Sequence, residues 1–146
     1  MRDSVLIIGA GGFVGNHLTH ALASRGERII AVARHAFDAV DAEVEARIGQ
    51  MLAPGDFLPL LARSRLVVHL ASASTPGSTA AQPLHEIELN LRPTLALLQA
   101  MQEHPEIPLV YVSSGGTLYG RQDDRGADEG SAVSPRSYHG AGKIAA

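Results

Sequence analysis

The chain has no cysteine and no tryptophan, and only six other aromatic rings, three Tyr and three Phe, among 146 residues. The missing thiol excludes a disulfide framework, a thiolate metal site and a cysteine nucleophile together, and makes a reducing cytoplasm the natural compartment. Positive charge is not in excess either: 12 Lys and Arg stand against 15 Asp and Glu, a formal net charge of −3. No general basic field exists to hold a phosphate backbone, and no basic stripe is interleaved with aromatics, so a nucleic-acid partner is not expected. No apolar run approaches the length of a membrane span. The short one near the start is flanked by Arg2-Asp3 and broken by glycines, unlike a signal peptide, so no membrane partner is expected and the chain reads as soluble. What is present, 45% hydrophobic and 18% charged residues, is the composition of one globular domain over residues 1–146.

Val5-Leu6-Ile7-Ile8 is a continuous apolar run ending in Gly9, the pattern of a parallel strand buried on both faces. Val14, Leu18, Ala21 and Leu22 then fall at helical spacing, and Arg25-Gly26 supplies a cationic last turn and a glycine stop. A second strand, Arg28–Ala33, completes a βαβ unit. The alternation continues with a strand at Val44–Ile48, a short helix from Asp56 through Leu61 and a strand at Leu66–Leu70. A loop of small residues from Ala71 to about Ala81 follows. A long helix from about Pro83 to Glu103 carries Leu84, Ile87, Leu91, Leu95 and Leu98 on one face. Leu109–Val112 is the fifth strand, residues 121–137 form a polar loop, and a last helix starts near Pro135. Such alternation predicts an α/β fold, a doubly wound parallel sheet of about five strands in the order 3-2-1-4-5.

Between the first strand and first helix lies Gly9-Ala10-Gly11-Gly12-Phe13-Val14-Gly15. Glycines here tighten the turn, let the backbone approach a pyrophosphate and let the helix pack closely, while the helix N-terminus offers N–H groups and partial positive charge. A bare tight turn is the alternative, and the strand-helix-strand context favours the phosphate cradle.

The segment from Ile8 to Gly15 resembles the Thr-Gly-x-x-Gly-Phe-Ile-Gly signature of the extended short-chain dehydrogenase/reductase family, the NAD-dependent epimerases and dehydratases of nucleotide sugars, with Ile8 in place of the threonine. His69-Leu70-Ala71-Ser72, Asn90 with Thr94, and Ser113-Ser114-Gly115-Gly116-Thr117-Leu118-Tyr119-Gly120 resemble further family segments in the same order. The resemblance implies a Rossmann fold and an NAD(P) cofactor contacted by Gly9, Gly11, Gly12, Phe13, Val14, Gly15, Leu70, Ala71, Ser72 and Lys143. At the end of the second strand, where an acidic residue normally grips the ribose hydroxyls of NAD, stands Ala33 followed by Arg34. A guanidinium there suits a 2′-phosphate and favours NADP over NAD, the alternative being a solvated surface arginine. Gln50 takes the position of an adenine-contacting aspartate.

In the family a tyrosine moves the proton, a lysine four residues on supports it and holds the nicotinamide ribose, and a Ser/Thr polarises the substrate oxygen. Aligned without gaps, Asp128 through Lys143 places His139, not Tyr138, in the tyrosine's position. Residues four apart share a helix face and residues five apart do not, so His139 and not Tyr138 shares a face with Lys143. Three readings stand: loss of the usual chemistry, Tyr138 acting from a locally non-helical backbone, or His139 acting as the acid-base group. Gly115 occupies the Ser/Thr position, with Ser114 and Thr117 as substitutes, either of which alternatively only satisfies backbone groups. Asn90 would support the site through water. Pro93 replaces a helix glycine and should remove a backbone hydrogen bond.

Elsewhere, His17 and His20 read as a solvated pair rather than metal ligands, and the acidic stretch Asp38–Glu45 as a solvated face. The family continues into a C-terminal substrate domain that is expected to be absent here. The strand and helix surfaces this would leave uncovered favour self-association, with the long and last helices pairing in a homodimer. The implied activity is transient hydride transfer on a nucleotide sugar or related hydroxy/keto small molecule. The alternative is a non-catalytic dinucleotide-binding module.

Overall fold

A computed structural model of the chain describes residues 2–38, 43–75, 77–78, 81–120 and 126–146. Parts of the acidic stretch (39–42), of the small-residue loop (76, 79–80) and of the polar loop (121–125) lie outside the described residues. The element order is β1 (Ser4–Ile8), α1 (Phe13–Ala23), β2 (Arg28–Ala33), β3 (Val44–Ile48), α2 (Pro54–Leu61), β4 (Ser64–His69), α3 (Leu84–Glu86), a π-helical turn (Ile87–Leu91), α4 (Arg92–Met101), β5 (Leu109–Tyr111), α5 (Gly115–Leu118) and α6 (Tyr138–Ala145). Two compact units result. One comprises Met1–Ala71 with Ala96–Val112, the other Ser72–Leu95 with Ser113–Ala146.

The first unit holds a five-stranded sheet, all neighbours parallel, in the order β3-β2-β1-β4-β5. This is the expected Rossmann arrangement. The apolar run of β1 is uninterrupted because both of its faces are covered: Leu6 and Ile8 join Ile30, Val32, Phe57, Leu61 and Leu97 in one core. Val5 and Ile7 join Ile29, Ala31, Val68 and Ala23 in another, with Leu18 and Leu22 of α1 packed against it. Period-two side-chain alternation thus feeds two cores from one strand.

The edges are managed differently. β3 is largely exposed and charged, and Glu45 on it accepts from Arg63 (2.5 Å) and Arg47 (3.1 Å). The Arg63 hydrogen bond is the main cause holding the Glu45 carboxyl below its ordinary pKa. Charge of this kind keeps an edge strand from pairing with another chain. β5 is the other edge, with Val110 and the following Val112 49% and 42% exposed.

Two boundaries and one helix orientation correct the sequence reading. β4 starts at Ser64 rather than Leu66, because the Ser64 hydroxyl, fully buried, donates to the Leu60 carbonyl at 2.7 Å and a register shift beside Ser4 accommodates the polar start. The last helix starts at Tyr138 rather than Pro135: Ser137, in extended conformation, caps it by accepting from the Gly140 N–H at 3.0 Å. The leucine-bearing face of the long helix is not the buried one: Leu84, Ile87 and Leu95 are 67%, 51% and 49% exposed, and Leu91 and Leu98 are half-buried. Its buried residues are Glu86, Thr94, Ala96, Leu97 and Ala100, so the inward face is polar in its first half and apolar in its second.

Phe57 is the largest fully buried side chain among the described residues, at 1% exposure. Phe57→Ala should lower unfolding free energy by about 3–5 kcal/mol, read from urea denaturation.

Candidate functional site

The glycine turn of the first unit is built by close backbone approach. Gly9, at φ +96, and Ala10 both donate to the Val32 carbonyl, at 2.9 and 3.0 Å, which ties the turn to the end of β2. A Cβ on Gly9 would lie 2.6 Å from the Ala71 nitrogen, and one on Gly15 would lie 2.1 Å from the Gly9 carbonyl oxygen. Gly12 precedes α1 in extended conformation and offers no side-chain cap, and the first turn holds no acidic residue. The orphan N–H groups that every helix start carries are therefore met here by neither side chain nor charge of the helix itself. Gly11 lies against Ala33, whose Cβ would be 3.1 Å from one added there. Phe13 and Val14 are exposed, while Leu70 donates to the Ile8 carbonyl at 2.8 Å and holds Ala71 under Gly9. Arg34 is exposed just beyond β2, and Gln50 is exposed two residues past β3. These residues fit a dinucleotide: a cradle that any Cβ would fill, with open helix N–H groups for the diphosphate.

The second unit carries a polar cluster that the sequence reading only partly anticipated. Glu86, on α3, is 4% exposed, and His139 and Lys143, one turn apart on α6, are 6% and 9% exposed. Ser74, in the loop before α3, donates its hydroxyl to Glu86 Oε2 at 2.5 Å and lies 2.9 Å from His139 Nδ1. Asn90, in the π-helical turn, donates Nδ2 to both Ser74 Oγ and Glu86 Oε1, each at 2.8 Å, while its Oδ1 accepts from the Ala73 N–H at 2.7 Å. Desolvation lowers the Lys143 pKa from its ordinary 10.5, and the nearby Glu86 carboxylate opposes that shift. Glycine makes the packing possible, since a Cβ on Gly142 would meet Glu86 Oε1 at 2.5 Å and one on Gly140 would meet the Thr117 carbonyl at 2.8 Å.

Of the expected residues, the structure brings Asn90, His139 and Lys143 together. Tyr138, the first residue of α6, is 52% exposed and does not join them. Thr117 donates its hydroxyl to the Ser114 carbonyl at 3.2 Å, and Ser114 starts α5 without a side-chain cap. Gly115 has open space where a side chain would be, so nothing steric requires glycine there. Ser72 donates to the Ser74 carbonyl at 3.1 Å. His17 bonds the Phe13 carbonyl through Nδ1 at 2.8 Å and lies against the Phe13 ring. Ser74 and Glu86 were missed; the signal was the polar series Glu86, Asn90, Thr94 at four-residue spacing, which competed with a more conspicuous leucine series on the same helix.

A model of the NAD dependent epimerase/dehydratase family matches residues 5–146. The chain belongs to that family. Among its members, a UDP-glucose 4-epimerase of Mycolicibacterium smegmatis is 26% identical over 149 aligned residues, spanning 96% of this chain and 48% of the relative. The Thermus thermophilus UDP-glucose 4-epimerase, solved in complex with NAD, superposes with a TM-score of 0.87 at 26% identity, covering 97% of this chain and 48% of that one. A UDP-glucose-4-epimerase from Stenotrophomonas maltophila, solved with NAD and a formylated UDP-arabinopyranose, gives a TM-score of 0.85 at 25% identity, with 97% and 45% coverage. The chain thus spans about half the length of these family members.

Two outcomes follow from the site's packing. Gly15→Ala should destabilise the domain by about 1–3 kcal/mol through overpacking, whereas Gly55→Ala, at a helix position with open space, should be neutral or stabilising by up to about 1 kcal/mol; urea titrations compare the two. Because the folded Lys143 holds its proton less tightly than the unfolded chain does, the unfolded state binds more protons as pH approaches 10.5, and stability should rise with pH in that window. Lys143→Met should lose this rise, which should therefore appear in the wild-type-minus-variant difference curve measured by urea unfolding from neutral pH upward.

Proposed function

We propose that this chain is the dinucleotide-binding and proton-transferring part of an epimerase, dehydratase or reductase that acts on a nucleotide sugar or a related hydroxy/keto compound. The observation carrying the reading is the glycine cradle, in which the Gly9 carbonyl occupies the place a side chain at residue 15 would need. The family membership and the NAD-bound members support the same cofactor class. A bound nicotinamide would supply a reversible hydride acceptor. Everything else is asked of the chain's own residues. The open start of α1 holds the diphosphate, and Arg34, exposed at the end of β2, favours a 2′-phosphate and hence NADP over NAD. His139 moves the substrate proton in the role the family gives to tyrosine, because it and not Tyr138 is buried beside Lys143 and tied into the polar cluster. Lys143 holds the nicotinamide ribose.

A homodimer paired through the long helix is part of the proposal, on the exposure of Leu84, Ile87 and Leu95. No described helix is long and apolar enough to cross a membrane, and the reading places the protein in the cytoplasm. A second reading, a dinucleotide-binding module without turnover, is favoured by one observation: Gly115 stands with open space where the family's hydroxyl would be.

Fluorescence titration should show NADPH binding more tightly than NADH, with Arg34→Ala removing the difference and Gly15→Ala weakening both by about tenfold or more, or about 1.4 kcal/mol. His139→Gln should abolish nucleotide-sugar conversion while Tyr138→Phe leaves it within a factor of about three, since only one of them touches the cluster. Binding without any conversion supports the module instead, and absence of binding to either coenzyme rejects both readings.

A further inference from the structure

With Glu86 ionised beside Lys143, the atoms around Ser74 leave one consistent assignment of protons. Its oxygen has three partners within hydrogen-bond distance: Glu86 Oε2, Asn90 Nδ2 and His139 Nδ1. A hydroxyl carries one proton and two lone pairs. The orientation of the Asn90 amide is fixed independently, because its Oδ1 accepts the Ala73 backbone N–H, so the group facing Ser74 is the NH₂ and can only donate. Glu86 accepts on both oxygens, from Ser74 and from Asn90, with the Lys143 ammonium as the neighbouring positive charge. The Ser74 proton therefore goes to Glu86, Asn90 fills one lone pair, and the remaining lone pair faces His139 Nδ1. That nitrogen must be the donor.

We propose that Ser74 and Glu86 act as a positioning relay that holds His139 with its proton on Nδ1, leaving Nε2 as the nitrogen that accepts and returns a substrate proton. The tautomer follows from the hydrogen bond made by the other ring nitrogen. When a substrate hydroxyl gives its proton to Nε2, the O–H bond breaks with its electron pair left on oxygen and an N–H bond forms. The resulting imidazolium keeps Nδ1–H on Ser74, whose own proton stays on the side of the Glu86 carboxylate. Asp or Glu orients a histidine directly in hydrolase triads; here a hydroxyl is interposed, so Ser74 is committed on both sides and is not a nucleophile. Gly142 belongs to the device, since any side chain there would displace the Glu86 carboxylate. The catalytic meaning of the relay rests on the acid-base reading of His139, but the tautomer does not.

The test separates the two. Long-range ¹H–¹⁵N correlation spectra of the intact protein, recorded above the titration of its imidazoles, assign His139 by the signals lost in His139→Gln. The expected pattern is a protonated Nδ1 and an unprotonated Nε2. Ser74→Ala should lose that assignment, with the proton moving to Nε2 wholly or in part, and Ser74→Thr, which keeps the hydroxyl, should retain it. An Nε2–H form in the wild-type protein, or an Nδ1–H form indifferent to Ser74→Ala, overturns the relay whatever the coenzyme titrations give. If the Nδ1–H form behaves as expected while His139→Gln leaves turnover intact, the relay stands and only the acid-base assignment falls.

Discussion

The Gly9 carbonyl lies where the first carbon of any side chain at residue 15 would have to be. That contact sets how closely α1 can approach the turn. It also explains why the turn has so little choice of residue: Gly9 must reach φ +96 while pressing on the backbone of Ala71, and Gly15 must let α1 descend onto it. Both demands are backbone against backbone, and neither can be relieved by a rotamer change. The sheet supplies the other anchor, since the Val32 carbonyl receives two turn N–H groups at once. A helix start brought this near a strand end, with no acid and no cap, is the arrangement that receives an anion.

The polar cluster answers to a different constraint. A carboxylate at 4% exposure would be strongly unfavourable unless each oxygen found a donor and a cation stood near. Ser74, Asn90 and Lys143 meet those needs, and the first two are in turn held by a neighbour: Ser74 by His139, Asn90 by the Ala73 backbone. Well-packed apolar residues would stabilise such a site at least as well as an ion pair does, so stability alone gives no reason for this set. Proton placement does give one, because with Glu86 ionised the bonds already made to Ser74 leave His139 Nδ1 to carry the imidazole proton.

Most of the fold was legible because its signals are local. Alternating burial on both faces made β1 and β2 continuous apolar runs, and β2 and β3 fall where their residues predicted. The start of β4 was not legible, since Ser64 and Arg65 read as loop until Leu60 is seen to accept the serine hydroxyl. The orientation of the long helix was misread for a physical reason: a leucine stripe is the usual mark of the buried face, yet here the inward face of its first half is filled by Glu86 and Thr94, hydrogen-bonding side chains whose partners come from distant sequence or from the helix backbone. Periodicity reports amphipathicity and cannot say which stripe is covered. The pairing of His139 with Lys143 needed only the four-residue spacing, whereas Ser74, sixty-five residues from His139, leaves no trace in spacing at all.

Pro93 connects these levels. Without an N–H it cannot donate to the carbonyl four residues earlier, and the helix ahead of it widens into the π-helical turn Ile87–Leu91. One residue on, Thr94 donates its hydroxyl back to the Asn90 carbonyl at 2.7 Å, a side-chain bond of the kind that bends a helix. Asn90 sits inside the widened turn, and its side chain spans Ser74, Glu86 and Ala73 at once. Positions 86 and 90 lie four residues apart, and the Asn90 amide reaches the Glu86 carboxylate across the widened turn at 2.8 Å. The amide that clamps the carboxylate therefore sits in the irregular stretch of the helix just ahead of a proline, where a kink has an identifiable cause, and not in a regular turn.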